Sequence, residues 1–377
     1  MKMFEFTKEQ DMIRTMVREF ADTELAPRAL ELDEKAEFPY DIAKKLANQG
    51  LLGMSTAKEL GGTNIGHVAT LITIEEISRV YPSTGFFLEG CTGPIYAVEQ
   101  FGNEEQKKNY VTPVVKAEKI MYLAATEPAG GSAVAKIATE AVGVDDGYVI
   151  NGRKIYITNG GISDFGVLLA KTGERSSLFI VDKDAPGFVV TRRQEQMGLK
   201  SVNVSELAFT DCKVPRENLI GKEGAGLPMA MAAFTLSRPA IGAIGLGIAR
   251  GAFDIALKYA KERVLYGKPI SGLQAIQFLL VDMDTEIEAA RWLVYQPGAD
   301  LDRGLTPRDI GKSSARAKAI GAEVALSVTR KAIEVLGGYG VSPEYHLPRL
   351  LNDAMELFPA TGTNQIMKII QAGEILK

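Results

Sequence analysis

The chain has 377 residues, 46% hydrophobic and 24% charged, with a formal net charge of −4. These values are typical of a soluble globular protein, and the length predicts two or three domains, or one domain with large inserts. The acidic balance and the lack of a basic cluster argue against nucleic-acid binding. The only cysteines are Cys91 and Cys212, and the only histidines are His67 and His346. This set matches no zinc-site spacing, and we expect no metal centre.

The N-terminal segment MKMFEFTKEQ contains no apolar run of the signal-peptide type. The longest weakly polar stretch, residues 239–249, is interrupted by Gly and Pro. It is too short to span a bilayer. We therefore expect a cytoplasmic protein without membrane insertion.

The first third of the chain has helical patterns. Thr7 begins a T-K-E-Q capping box that ends at Gln10. Apolar residues then recur with a period of 3.6 up to Phe20, and Pro27 is expected to end or kink this helix. Further helices are predicted over Tyr40–Asn48 and Val68–Val80.

Near residue 120 the pattern changes to short alternating runs separated by turn residues. The run Tyr148–Ile150 leads into Asn151-Gly152, a dipeptide typical of tight hairpins. The predicted strands that follow are Arg153–Thr158, Val167–Lys171, Ser177–Val181, Gly187–Arg192 and Glu206–Thr210. This spacing predicts a small antiparallel β barrel or sandwich.

The last third is helical again and has enough helices for a four-helix bundle. The predicted helices are Met229–Arg263, Gln274–Tyr295, a run from Thr306-Pro307 to Gly337-Gly338, and Thr363–Leu376. Thr306 is expected to cap its helix, with Pro307 in the first turn. The fold class is therefore α+β, mainly α, with an N-terminal helical domain (1–118), a middle antiparallel β domain (119–222) and a C-terminal bundle (223–377).

Five motifs in this order carry the functional interpretation. The first is Tyr122–Ser132, a strand that runs into a glycine-rich loop. Such a loop can hold an anionic pyrophosphate on exposed N–H groups, and an ordinary surface turn is an equally good explanation of it alone. The other motifs are Ile155–Gly161, Arg263–Lys268 followed by Gln274, Leu336–Gly340, and Gly362–Ile366.

Taken together, these motifs resemble the acyl-CoA dehydrogenases from Phe6 to the C-terminus. The resemblance implies the three-domain fold above, a homotetramer, and FAD bound between the middle domain and the bundle. It also implies an acyl-CoA substrate and an electron-transfer flavoprotein as electron acceptor. Two alternatives stay open: a non-dehydrogenating relative, such as a desulfinase or a flavin monooxygenase, and a base-less subunit that serves an active partner.

The resemblance also implies roles for individual residues. Expected FAD contacts are Tyr122, Thr126, Gly131, Ser132, Tyr156, Thr158, Arg263, Gln274, Gly337, Gly338, Thr363 and Gln365, with Arg263 and Gln274 reaching the FAD of a neighbouring subunit. Expected substrate contacts are Ser132, Ser237, Arg238 and Gly362. Each has a simpler explanation: Tyr122 and Tyr156 could be β-domain core, Arg263 a solvated charge, and Gly337-Gly338 a helix stop.

The family reaction removes a proton from the α carbon of the thioester with a carboxylate, while a hydrogen leaves the β carbon as hydride. The usual carboxylate position is Thr361 here, which keeps only the backbone N–H that polarises the thioester oxygen. A second position used by some members is Ser237. Neither residue is a base at neutral pH.

A carboxylate further along the acyl cavity could replace the missing base. The resemblance implies that the segment Phe86–Thr92 closes the far end of the acyl cavity, and this segment contains Glu89 and Cys91. Some cyclic acyl-CoA dehydrogenases resemble this arrangement, since they use an acid from this region for a 1,4-elimination on a cyclohexene ring. We therefore expect Glu89, and secondly a Cys91 thiolate, as the base. The alternative is that Glu89 is a structural carboxylate and Cys91 a packing residue.

Overall fold

The computed structural model describes residues 6–377, so residues 1–5 of the expected first domain lie outside the described part. Helices come first along the chain. They are α1 (Lys8–Phe20), α2 (Ala29–Lys35), α3 (Tyr40–Asn48), α4 (His67–Val80), α5 (Pro82–Phe101), α6 (Glu104–Gln106) and α7 (Thr112–Val115). The capping box at Thr7 is confirmed, with hydrogen bonds in both directions between Thr7 and Gln10. Pro27 lies in a short 3₁₀ turn that leads directly into α2, so the chain bends there.

Helices α4 and α5 form the buried centre of this helical part. Most of their side chains are shielded from solvent. On α4, the Glu75 carboxylate accepts hydrogen bonds from Arg291 Nη2 and from the Tyr295 hydroxyl, both at 2.7 Å. Arg291 and Tyr295 belong to a helix of the C-terminal part. These charge-assisted bonds therefore hold the two helical parts together.

The middle of the chain is a β sheet. Its strands are β1 (Met121–Ala124), β2 (Glu140–Val144), β3 (Gly147–Thr158), β4 (Phe165–Thr172), β5 (Arg175–Asp182), β6 (Phe188–Arg193), β7 (Val204–Pro215) and β8 (Leu219–Ile220). The order across the sheet is β6-β7-β3-β2-β4-β5-β8, and β1 pairs with β4. The pairs β1–β4 and β2–β4 are parallel. The other pairings are antiparallel, so the sheet is mostly antiparallel, as predicted, with these two parallel pairs as the exception.

The predicted hairpin at Asn151-Gly152 was wrong. The chain continues through these residues as one long strand, β3, and both halves pair with β7. The register shifts between Ile150 and Gly152, which marks a β-bulge. The Asn151 side chain bonds the backbone N–H of Asp211 at 2.8 Å and so stays within the sheet. The actual turn lies one strand earlier, between β2 and β3.

The C-terminal part is helical apart from one short hairpin. Its elements are α8 (Gly226–Glu262), β9 (Val264–Leu265), β10 (Lys268–Pro269), α9 (Gln274–Asp302), α10 (Gly311–Leu336), α11 (Leu347–Glu356) and α12 (Asn364–Ile375). Thr306 does not cap a helix, because it bonds Asp309 within a turn and α10 begins only at Gly311. A Cβ on Gly245 would lie 2.1 Å from the Gly321 carbonyl oxygen. Glycine at that position therefore lets α8 and α10 pack backbone to backbone.

Within the described residues, α8 alone is long and apolar enough to cross a membrane, and 78% of that apolar window is buried inside the protein. Such burial is typical of a core helix, because the neighbouring elements already cover its apolar surface.

Candidate functional site

The candidate site lies where α5 passes between the end of β3 and α8. Two glycines make this approach possible. A Cβ on Gly90 would lie 2.8 Å from Thr158 Cγ2, and a Cβ on Gly93 would lie 2.8 Å from Ser237 Oγ. Glu89 precedes Gly90 on the same helix. Helix α5 therefore brings Glu89 to the junction of the β sheet and the bundle.

Glu89 is a buried carboxyl group at this junction. It is 6% exposed, and no salt bridge to it is found among residues 6–377. Burial raises the pKa of Glu89 to about 8, and a hydrogen bond with Ser237 opposes that rise. The carboxyl group is therefore mainly protonated at pH 7, and it loses its proton as the pH rises through about 8. A carboxyl group poised in this way is typical of functional sites.

Cys91 lies two residues further along α5 and is also buried. Burial raises the pKa of its thiol to about 12, and the nearby Glu89 adds to the effect. The thiol consequently stays protonated at neutral pH. A thiolate is the reactive form of cysteine, so this environment favours Glu89 over Cys91 as a base.

Ser237 and Arg238 are consecutive buried residues of α8. The Arg238 guanidinium donates long hydrogen bonds to the Thr361 carbonyl oxygen at 3.5 Å and to Thr235 Oγ1 at 3.4 Å. Burial lowers the pKa of Arg238 to about 10, so it stays charged at neutral pH. No carboxylate is paired with Arg238 within the described residues. The structure thus brings an unpaired cation to the backbone of Thr361.

The turn before α12 has an unusual backbone. Thr361 and Gly362 both have positive φ, +52° and +101°. A threonine in this region is uncommon, and such strain tends to occur at functional sites. Thr363 caps α12 by accepting the Ile366 N–H at 3.2 Å. In the described chain no acceptor takes the Thr361 N–H, so this donor is available to a ligand.

The glycine-rich loop after β1 is anchored by the buried side chain of Glu127. The Glu127 carboxylate accepts the N–H groups of Ala138 and Thr139 at 2.6 and 2.9 Å, and it pairs with Lys154 at 2.8 Å. Lys154 is fully buried. The loop residues Gly131 and Ser132 are exposed, and Thr126 is half-buried beside Gly131. The buried Glu127–Lys154 pair therefore fixes one end of the loop, while the backbone of the loop itself is open to solvent.

The two tyrosines of the β motifs differ in position. Tyr122 is 1% exposed and stacks on Phe188 in the sheet core. Its side chain therefore packs in the sheet core, and its contact with FAD stays a prediction. Tyr156 is 65% exposed with φ at +58°, so it is not core. Thr158, at the end of the same strand, is half-buried and faces α5.

The remaining predicted contacts lie at exposed positions of the bundle. Nothing lies within 4 Å of a Cβ placed on Gly337 or Gly338, so their backbone is open to a ligand. The Arg263 guanidinium lies 5.6 Å from the ring of Tyr339, next to these glycines. Gln274 begins α9 and Gln365 lies in the first turn of α12, and both are exposed. These residues face outward and do not share a cleft with Glu89 in one chain.

The sequence reasoning missed Lys318. This lysine is fully buried on α10, and its Nζ binds the Phe358 carbonyl oxygen and Asn364 Oδ1. The available signal was a lysine at a helix position otherwise surrounded by alanine and glycine.

Comparison with known proteins identifies the family. The chain matches the N-terminal, middle and C-terminal domain models of acyl-CoA dehydrogenase over residues 7–118, 123–212 and 224–376. The chain belongs to the acyl-CoA dehydrogenase family. It is thus an oxidoreductase of the acyl-CoA dehydrogenase type, and the predicted three-part fold is confirmed.

Similar proteins match over nearly their whole length. The short-chain specific acyl-CoA dehydrogenase of Clostridium acetobutylicum is 39% identical over 380 residues, covering 99% of this chain and 100% of that protein. The cyclohex-1-ene-1-carbonyl-CoA dehydrogenase of Geobacter metallireducens is 38% identical with the same coverage. The structure of butyryl-CoA dehydrogenase from Megasphaera elsdenii gives a TM-score of 0.95 at 32% identity, covering 99% of this chain and 100% of that one. These matches favour a dehydrogenase over a desulfinase, a monooxygenase or a base-less subunit.

Proposed function

We propose that this protein is an FAD-dependent dehydrogenase of acyl-CoA thioesters in which Glu89 is the base. One observation carries the proposal. Glu89 is a buried carboxyl group with no salt bridge among residues 6–377, and this burial raises its pKa to about 8. General bases work best when their pKa is close to the operating pH. A carboxyl group poised there has the chemistry that Thr361 and Ser237 lack.

The exposed residues of the β motifs and the bundle fit FAD. Tyr156 offers an uncovered aromatic face, and the open backbone at Gly131, Gly337 and Gly338 leaves room for close approach by a diphosphate. Exposed backbone N–H groups of this kind bind anions. Thr126, Ser132, Thr158, Thr363 and Gln365 would complete the contacts. When bound, FAD supplies the two-electron acceptor.

The turn before α12 would bind the thioester. The free N–H of Thr361 donates to the thioester oxygen, and Arg238 holds the carbonyl of the same residue. Polarising that oxygen stabilises the negative charge that develops when a C–H proton leaves. The Glu89 carboxylate takes this proton and becomes a carboxylic acid, and the bound FAD would supply the acceptor for the second hydrogen and its two electrons. Ser132 and Gly362 would line the thioester path.

The position of the base favours a cyclic or unsaturated acyl group. Glu89 lies on the helix that we expect at the cavity floor, further along the acyl chain than the thioester. A conjugated acyl group transmits the polarisation at the thioester to a more distant carbon, so a proton there becomes acidic. The similarity to a cyclohex-1-ene-1-carbonyl-CoA dehydrogenase supports this substrate class. Buried Cys91, beside Glu89, would pack against the ring.

Self-association would explain the exposed apolar residues at one end of the bundle. Large hydrophobic side chains are exposed at Val264, Leu265, Tyr266, Phe278 and Val281. Arg263 and Gln274 lie in the same segment, and they would reach FAD only in a neighbouring copy. Several large apolar side chains exposed within one short segment are typical of an interface. We propose that the protein is a homotetramer. We also propose that it works in the cytoplasm and passes its electrons to an electron-transfer flavoprotein. Its proposed domains cover residues 1–118, 119–222 and 223–377.

Anaerobic titration of the FAD-loaded protein tests the proposal. Straight-chain acyl-CoA esters, cyclohexane-carboxyl-CoA and cyclohex-1-ene-carboxyl-CoA are added in turn while the flavin absorbance is followed. We expect the cyclic, unsaturated ester to bleach the flavin fastest. Bleaching by straight-chain esters alone would overturn the substrate class, and a protein that takes up no FAD would overturn the whole proposal.

A further inference from the structure

Lys318 joins the two ends of the turn that precedes α12. Its Nζ donates to the Phe358 carbonyl oxygen at 2.7 Å and to Asn364 Oδ1 at 2.8 Å. Phe358 comes before the turn, and Asn364 is the first residue of α12. Thr361 lies between these two acceptors. One side chain from α10 therefore fixes the turn on both sides of Thr361.

Burying Lys318 is energetically unfavourable, because its ammonium group loses its contact with water. Lys318 is fully buried, and no carboxylate is paired with it among the described residues. Burial lowers the pKa of Lys318 to about 7, the positive charge of Arg238 adds to the effect, and Glu323 opposes it. The Glu323 carboxylate also accepts a hydrogen bond from Asn364 Nδ2 at 3.2 Å. An apolar side chain would fill this position without the desolvation penalty, so the hydrogen bonds of Lys318 are the feature to be explained.

The same turn contains the strained backbone. Thr361 and Gly362 both have positive φ, and a conformation of this kind persists only where its surroundings hold it. Arg238 holds the Thr361 carbonyl oxygen from α8, while Lys318 holds the flanking residues from α10. The Thr361 N–H itself makes no hydrogen bond within the described chain.

We propose that Lys318 is a positioning residue that sets the direction of the Thr361 N–H toward the thioester oxygen. The inference rests on the proposed role of Thr361 in binding that oxygen. A donor must lie where charge develops in the transition state, and a misplacement of about 1 Å can cost about 10²-fold in rate. Loss of Lys318 should therefore lower kcat far more than it raises KM.

Lys318→Met tests the proposal, because methionine keeps the length of the side chain and removes both donors. The readout is the absorption band of a conjugated, non-reacting thioester of CoA bound to the FAD-loaded protein, since the band moves to the red when the carbonyl is polarised. We expect Lys318→Met to retain FAD, to lose most of the red shift, and to lower kcat about 10²-fold. Lys331→Met is the control, because it removes a lysine from the same helix that does not contact the turn. It should change neither the red shift nor kcat.

Asn364→Ala decides the matter if Lys318→Met fails to fold, because it removes only one of the two acceptors. It should show a smaller loss of the red shift and a fall in kcat of about tenfold. A folded variant of either kind with the wild-type band and wild-type kcat would overturn the positioning role, even if its unfolding stability fell. A wild-type protein that bleaches with acyl-CoA but shifts no thioester band would overturn the role of Thr361 and this inference with it, and leave the dehydrogenase activity standing.

Discussion

The buried Glu89 should make the stability of the protein depend on pH. Burial raises its pKa from 4.5 to about 8 in the folded protein. The folded state therefore keeps the proton at pH values where the unfolded chain has released it. The contribution of protonated Glu89 to the free energy of unfolding is fully present below pH 4.5, and it is lost as the pH rises through about 8. One pKa unit corresponds to about 1.4 kcal/mol, so the loss across this window is about 5 kcal/mol, of which about 3 kcal/mol is reached by pH 7.

Glu89→Gln removes this dependence, because glutamine stays neutral and its amide can still bond Ser237. The measurement is the free energy of unfolding by urea for both proteins at several pH values from 4.5 to 8.5. The variant should match the wild type near pH 4.5 and exceed it by several kcal/mol at pH 8.5. Glu174→Gln, in the exposed turn between β4 and β5, is the matched control and should follow the wild type.

A difference between wild type and Glu89→Gln that stays constant over this range would refute the reasoning. It would mean that Glu89 titrates as an ordinary surface carboxyl group, and that water or a neighbouring charge reaches it. The same result would remove the main support for Glu89 as a base with a pKa near neutrality.

Three further predictions concern the same region. Ser237→Ala removes the hydrogen bond that lowers the pKa of Glu89, so the midpoint of the pH–rate profile should move above 8, as steady-state rates would show. Thr361→Glu restores a carboxylate at the usual position and should raise turnover of straight-chain acyl-CoA by about 10²–10⁴-fold; unchanged turnover in a folded variant would argue against the proposed pocket. Lys154→Met leaves Glu127 buried without its partner and should cost about 3–5 kcal/mol in urea unfolding, and a loss below 1 kcal/mol would show that the pair does not hold the loop.

Local patterns predicted the helices well where the periodic residues and the cap lie within one helix. The capping box at Thr7 and the helix Tyr40–Asn48 are examples. Both depend on contacts between residues three or four apart, which the sequence contains directly. The order of helices, sheet and bundle followed from the same kind of signal.

Both non-local pairing and a competing local turn account for errors in the predicted elements. Asn151-Gly152 has the residues of a tight turn, yet pairing with β7 along both halves of β3 keeps the strand continuous. Thr306-Pro307 has the residues of a helix start, yet Asp309 holds a separate turn there. A partner strand far away in sequence decides the first case, whereas a residue only three positions away decides the second.

The candidate site shows the same division. The sequence shows Glu89, Ser237 and Thr361 on separate segments. It also shows that Ser237 and Thr361 supply no base. That the Glu89 carboxyl group bonds Ser237 depends on how α5 packs against α8, through the close approach at Gly93. The role of Lys318 depends on two acceptors about 40 residues further along the chain. Neither contact has a local signature in the sequence.

The rate of anaerobic flavin bleaching as a function of pH tests the central claim most directly. Wild type and Glu89→Gln, both loaded with FAD, are mixed with the acyl-CoA ester that bleaches the wild type fastest. The account predicts a wild-type rate that rises with pH to a plateau, with a midpoint near 8, since the carboxylate is the active form. It predicts that Glu89→Gln is slower by about 10²–10⁴-fold and lacks this dependence. Equal rates with the same pH profile in the two proteins would contradict the assignment of Glu89 as the base.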